Sequence, residues 1–201
     1  MNELALLQAV RLKGRVRLAD LATTLNVDET SAAALVKALA DAGLLIEGKA
    51  IRTSPEGRDR LAELLTEERK GIDGRSFART YDEFRSVNRE FKELVHEWQL
   101  RDGEANDHAD AEYDAAVLSR LDDVHLSVES ILAEAVTQVP RLAIYAAKLS
   151  TALRKIRAGD STWFTRPVID SYHTVWFELH EELIGAAGLS RVEEAVSGHA
   201  E

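Results

Sequence analysis

The sequence predicts a mainly α-helical protein in two parts: an N-terminal helix-turn-helix unit carrying a short β-hairpin, and a C-terminal antiparallel helical bundle. Three observations carry that expectation. Apolar residues recur at steps of three and four through most of the 201 residues, and 45% hydrophobic and 30% charged residues with only three prolines suit globular helical domains. Charge divides the chain, because residues 1–70 hold 11 basic and 11 acidic side chains and the whole net charge of −10 therefore falls after residue 70. Aromatic content divides it at the same place, since every Trp, Tyr, Phe and His lies after residue 70. The charged stretch from Thr66 to Arg75, with its two glycines, reads as the boundary. Domains are expected over 1–70 and 81–201, joined by a linker over 71–80.

Composition also removes function classes. The chain has no cysteine, which excludes disulfides, thiolate nucleophiles and Cys-ligated metals and suits a reducing compartment. No stretch approaches the roughly 20 apolar residues of a membrane span, so a cytoplasmic protein without a membrane partner is expected. No glycine-rich phosphate loop, nucleophile motif or locally supported Ser-His-Asp order occurs, and neither an enzyme nor a cofactor is expected.

In the first seventy residues, Leu4, Leu7 and Val10 stripe a helix that Gly14 closes. Leu18, Leu21, Ala22 and Leu25 space a short second helix, Asn26 and Val27 make a turn, and Asp28 is a good N-cap for a third. That third helix is expected to bury Ser31, Leu35, Ala38, Leu39 and Ala42 and to end at Gly43. Residues 44–47 and 50–53 flank Gly48-Lys49, which predicts a hairpin with a two-residue type II′ turn. Ser54 followed by Pro55 starts a further helix through Leu61, Leu64 and Leu65.

Helix, helix-turn-helix, hairpin and helix, in that order and followed by TSPEGRDRLAEL, resembles the winged helix of bacterial transcription regulators of the MarR type. The resemblance implies a winged helix-turn-helix domain that binds double-stranded DNA. The helix after Asp28 would enter the major groove with Thr30, Ser31, Ala33, Ala34 and Lys37 nearest the bases, and Lys49 and Arg52 would sit on the wing. That helix offers methyl groups and two hydroxyls where base readers usually offer Arg, Asn or Gln. Affinity is therefore expected from phosphates touched by Lys13, Arg15, Arg17, Lys49, Arg52, Arg58 and Arg60.

Beyond the boundary, Tyr81, Phe84, Asn88, Phe91, Val95 and Trp98 form one heavily aromatic helix face. A polar stretch, RDGEANDHADAE, interrupts before a helix from about Tyr113 to Gln138 that turns Val117, Leu121, Val124, Val128, Ile131 and Ala135 inward, with Asp107 or Asp110 as its cap. Pro140 restarts the chain into a helix that Gly159 caps, and Pro167 is expected to open a last helix ending near Gly188. Four main helices with short connections predict an antiparallel bundle. The segments YDEFRSVNREFKELVHEWQLRDGEANDHADAEYDAAV and STWFTRPVIDSYHTVWFELHEELIGAAGLSR are similar to the C-terminal regions of actinobacterial MarR-like winged-helix proteins, and also to tails of pyruvate phosphate dikinase-like enzymes.

Three constellations are candidate sites. The acidic loop around His108 lacks the glycine and spacing of a calcium loop and reads as solvated, self-capping chain. His173 and His180, seven apart on one face, read as hydrogen-bonded bundle histidines, and no metal is expected. Trp163, Arg166, Tyr172, His173, Trp176 and His180 form the densest aromatic cluster and are the candidate effector pocket, against core packing or an oligomer interface as the plainer reading. The expectation is a DNA-binding transcriptional regulator with a helical domain for homodimerisation and small-molecule effector sensing. The alternative keeps the fold and makes the winged helix a protein-docking or accessory module, for instance one serving a phosphoenolpyruvate-handling enzyme.

Overall fold

The computed structural model describes residues 2–196, and residues 197–201 of the expected second domain lie outside the described residues. The chain divides into two compact units, Met1–Gly71 and Ile72–Glu201, both dominated by helix.

The first unit runs α1 (Glu3–Lys13), α2 (Leu18–Leu25), α3 (Glu29–Asp41), β1 (Leu45–Ile46), β2 (Arg52–Thr53) and α4 (Pro55–Arg69). Short polar side chains open three of these helices: Asn2 accepts from the amide of Ala5, Asp28 from that of Ser31 and Ser54 from that of Gly57. Asn26, left-handed at φ 53°, turns α2 into α3. Leu6, Leu7 and Val10 of α1 meet Leu21, Val36, Leu39 and Leu61 in one apolar core.

Two local expectations fail here. Helix α3 buries Ala32, Val36 and Leu39, while Ser31, Ala38 and Ala42 are exposed and Leu35 is half-buried. In a helix of small residues the buried stripe is chosen by where the branched Val36 packs, and the alanine spacing does not reveal it. The hairpin pairs Leu45 with Thr53 and Ile46 with Arg52, so its loop spans five residues and not the two of Gly48-Lys49. Ile51 leaves the hairpin ladder because it bridges to Val16, exchanging backbone hydrogen bonds of 3.1 and 2.7 Å, and both side chains are buried there.

The second unit runs α5 (Gly74–Gln99), β3 (Leu100–Arg101), β4 (Glu104–Ala105), α6 (Ala111–Gln138), a 3-10 turn (Pro140–Leu142), α7 (Ala143–Arg157), α8 (Thr162–Thr165), α9 (Tyr172–Ala186) and α10 (Arg191–Val196). Helix α5 lies along α6, α7 packs on α6 and α9, and α9 packs back on α5. All six residues of the aromatic face from Tyr81 to Trp98 are buried, as are the six inward residues of α6. Against α9 the core also takes in charge: Arg141 of the 3-10 turn meets Glu182 at 2.5 Å and Lys148 of α7 meets Glu178 at 3.5 Å, with these side chains 13% or less exposed.

Three expectations are corrected in this unit. Residues 74–80, placed in the linker, belong to α5, because Asp73 caps it and Phe77 and Thr80 are buried. The polar stretch contains the hairpin of β3 and β4, closed by Asp102 and Gly103 with φ 54° and 86°, the positive values a tight two-residue turn requires. The last long helix starts at Tyr172, capped by Ser171, whereas Pro167 lies in a turn with Val168 at φ 74°. Among the described residues no helix is long and apolar enough to cross a membrane.

Candidate functional site

A cleft of about 170 Å³ opens between α5 and α9 beside the start of α10. Its apolar side comes from Phe91, Val95, Trp176 and Phe177, and its polar side from Lys92, His96 and Gln99 of α5, His173 and His180 of α9, and Arg191. Phe91 and Trp176 stack with centroids 4.3 Å apart, and the Trp176 indole N–H donates to Asn88 Oδ1 at 2.8 Å, which fixes that wall. Arg191 pairs with Glu181 and lies 4.5 Å over the Phe177 ring.

The buried end of the cleft is set by a chain of hydrogen bonds. Glu194 of α10, 2% exposed, receives both Nε at 3.0 Å and Nη2 of Arg85. Held by that guanidinium it is a carboxylate and can only accept, so the Tyr81 hydroxyl, 2.7 Å away, donates to it. The Tyr81 oxygen must then accept from His180 Nε2 at 3.1 Å. Burial, with Arg191 adding repulsion, pushes the His180 imidazole down to about 4, so the ring is neutral near pH 7. Its single proton is on Nε2 and its Nδ1 is an acceptor. His180 is almost fully buried and its side chain borders the cleft.

Of the residues expected to line an effector pocket, the cleft brings together His173, Trp176 and His180 only. Tyr172 is fully buried, its hydroxyl 3.0 Å from His125 Nδ1. Trp163 lies under the Lys155 ammonium at 3.4 Å, and Arg166 is exposed at the end of α8. The turn after Pro167 places both on a different helix from α9. Lys92, His96 and Gln99 escaped the sequence reading, although their steps of four and three along the polar edge of α5 were a legible stripe. Among the described residues no three His, Asp or Glu side chains gather as metal ligands.

In the first unit, the outward side of α3 exposes Thr30, Ser31, Ala34 and Lys37. Ser31 is tied to Asp28 at 2.6 Å and Lys37 to Asp41 at 3.0 Å. Ala33 is half-buried and turns toward a groove of about 380 Å³ between α3 and the hairpin loop, which Arg17 and Lys49 also line. Arg17 pairs with Asp20, Arg60 with Glu3 and Glu63, and Lys13 is half-buried in the last turn of α1. Arg15, Lys49, Arg52 and Arg58 are exposed and, among the described residues, form no ion pair. Compared with protein-family models, with curated proteins and with solved structures, the chain matches none.

Proposed function

We propose that the chain is a cytoplasmic DNA-binding transcriptional regulator of the MarR-like winged-helix kind. In this reading the second unit is an antiparallel bundle that dimerises and receives a small effector in the cleft between α5 and α9. The observation that carries the reading is the frame around α3. A left-handed turn at Asn26 precedes it, the hairpin loop with Lys49 stands beside it, its outer side is exposed, and among the described residues Arg15, Lys49 and Arg52 form no ion pair. Phosphate contacts require charge at the right places and not base-reading side chains, which suits a helix presenting Thr30, Ser31 and Ala34.

The experiment is a titration of genomic and random duplexes at several salt concentrations. Each neutralised phosphate contributes about −0.9 to the slope of log K against log salt, so Arg52→Ala or Lys49→Ala should flatten the slope by about one unit and weaken all sequences alike. Salt-insensitive binding, or no binding at low salt to the upstream region of its own gene, would overturn the proposal. The protein-docking alternative is favoured by one observation, the pairing of Lys37 with Asp41, which leaves α3 without an unspent cation.

A further inference from the structure

We propose that the corner where α7 turns into α8 receives the acidic β3–β4 hairpin of a second copy of this chain, each copy giving its hairpin and offering its corner in one two-fold contact. The proposal rests on the reading of the second unit as the dimerising one and names the surface that does it.

The corner carries charge and apolar surface that the single chain does not use. In a unit that holds the whole net charge of −10, Arg101, Arg120 and Arg157 are spent on Asp110, Glu97 and Asp122. Arg154, Lys155 and Arg166 are exposed and, among the described residues, form no ion pair. Arg154 and Lys155 stand in the last turn of α7, where a helix favours cations; that accounts for them but not for Arg166, which follows α8. The Lys155 ammonium lies 3.4 Å over the half-buried Trp163 ring and is thereby positioned in advance. Two residues beyond Arg166, Val168 is 99% exposed with φ 74°, a backbone conformation that a β-branched residue avoids. Neither packing nor local preference places a valine there, and an apolar knob held out at a backbone cost is a feature of contact surfaces.

The complement stands on the same chain. Asp102, Glu104 and Asp107 are exposed on and beside the β3–β4 hairpin and, among the described residues, form no ion pair. The tight turn at Asp102 and Gly103 holds that hairpin in shape, and Leu100 at its root is 37% exposed and offers Val168 an apolar partner. Hairpin and corner lie at one end of the bundle, because the Trp98 ring stacks His108 at 4.3 Å on one side and meets Phe164 of α8 at 5.4 Å on the other. A surface with its basic and acidic halves side by side is complementary to itself under a two-fold axis. A DNA duplex fits the corner less well, since it would run on across the acidic remainder of the unit, whereas a short hairpin meets only charges within a Debye length of about 8 Å.

Light scattering and sedimentation of the full chain with charge-reversed variants test this. We expect Lys155→Glu with Arg166→Glu to weaken the dimer about a hundredfold, and Glu104→Lys with Asp107→Lys to do the same, because like charges then face each other. An equimolar mixture of the two variants should dimerise again, each reversed corner meeting a reversed hairpin in both halves of the contact. Val168→Gly should weaken the dimer about tenfold through lost burial while leaving the urea midpoint equal or higher, since glycine accepts the positive φ; a merely structural valine would leave the dimer unchanged. Added salt should dissociate the wild-type dimer. A dimer that survives both reversals overturns the proposal alone and leaves the dimer reading standing on another face, and a mixture that stays monomeric overturns it as well. A wild-type chain that is monomeric at every concentration overturns both; hexaglutamate binding to that monomer, lost on reversal of Lys155 and Arg166, would assign the corner to a foreign acidic partner.

Discussion

Replacing Gly57 by alanine reverses the usual rule for helices. Glycine inside a helix is less favourable than alanine by about 1 kcal/mol, so at an open position Gly57→Ala would stabilise α4. Here a Cβ would lie 1.9 Å from the carbonyl oxygen of Leu44 and 2.9 Å from its carbonyl carbon. A real Cβ essentially never comes within 3.0 Å of such an atom, so one backbone must retreat by about 1 Å. The joint it would disturb is tightly bonded: Leu44 O accepts from the Ser54 amide at 3.1 Å, and Ser54 Oγ donates to Gly43 O at 2.6 Å while accepting from the Gly57 amide at 2.8 Å. Overpacking at about 1–3 kcal/mol and the loss of a cap and a hydrogen bond at about 1 kcal/mol each outweigh the helix gain, for a net loss of about 3 kcal/mol. A unit of 71 residues has only about 4 to 10 kcal/mol to lose. The assay follows from composition, because all tryptophans lie in the second unit. In urea, far-UV circular dichroism of the variant should show an early transition that tryptophan fluorescence does not share. A wild-type or higher dichroism midpoint would refute the steric argument.

Arg85→Met leaves the Glu194 carboxylate, 3% exposed, without its cation, and should cost about 3 kcal/mol in fluorescence-monitored unfolding; a loss under about 1 kcal/mol would mean that the carboxylate is not held by Arg85. Burial depresses His180 to about 4 and lowers His125 as well, so the unfolded chain binds more protons than the native one below about pH 6.5. Stability should hold above that pH and fall as pH drops toward 4, by roughly 3 kcal/mol for His180, and urea midpoints of His180→Gln should show a flatter fall; an equal fall would assign the dependence to other groups. The proposed homodimer predicts twice the chain mass in light scattering over a range of concentrations, and a monomer at all of them would remove it.

What the sequence by itself determined is local. The alternation of three and four from Tyr81 to Trp98 places six residues on one face of α5, and all six are buried because a helix that long and amphipathic has one face to bury. Asp28, Ser54 and Asp110 stand as caps because a short polar side chain satisfies amides within three residues of itself. Asp102-Gly103 and Ser171 were equally legible as a turn and a cap, but the polar loop and Pro167 drew the reading elsewhere. The tertiary structure decided what periodicity leaves open. Alanine spacing in α3 offers several faces of equal hydrophobicity, and only packing around Val36 and the Val16–Ile51 bridge selected one. Gly57 owes its identity to a carbonyl thirteen positions earlier in the chain. The candidate site is the extreme case, since Tyr81 meets His180 and Glu194 across 99 and 113 residues. No spacing rule reaches that far, because the energy that joins such groups arises only when separate helices have already been brought together by their apolar faces.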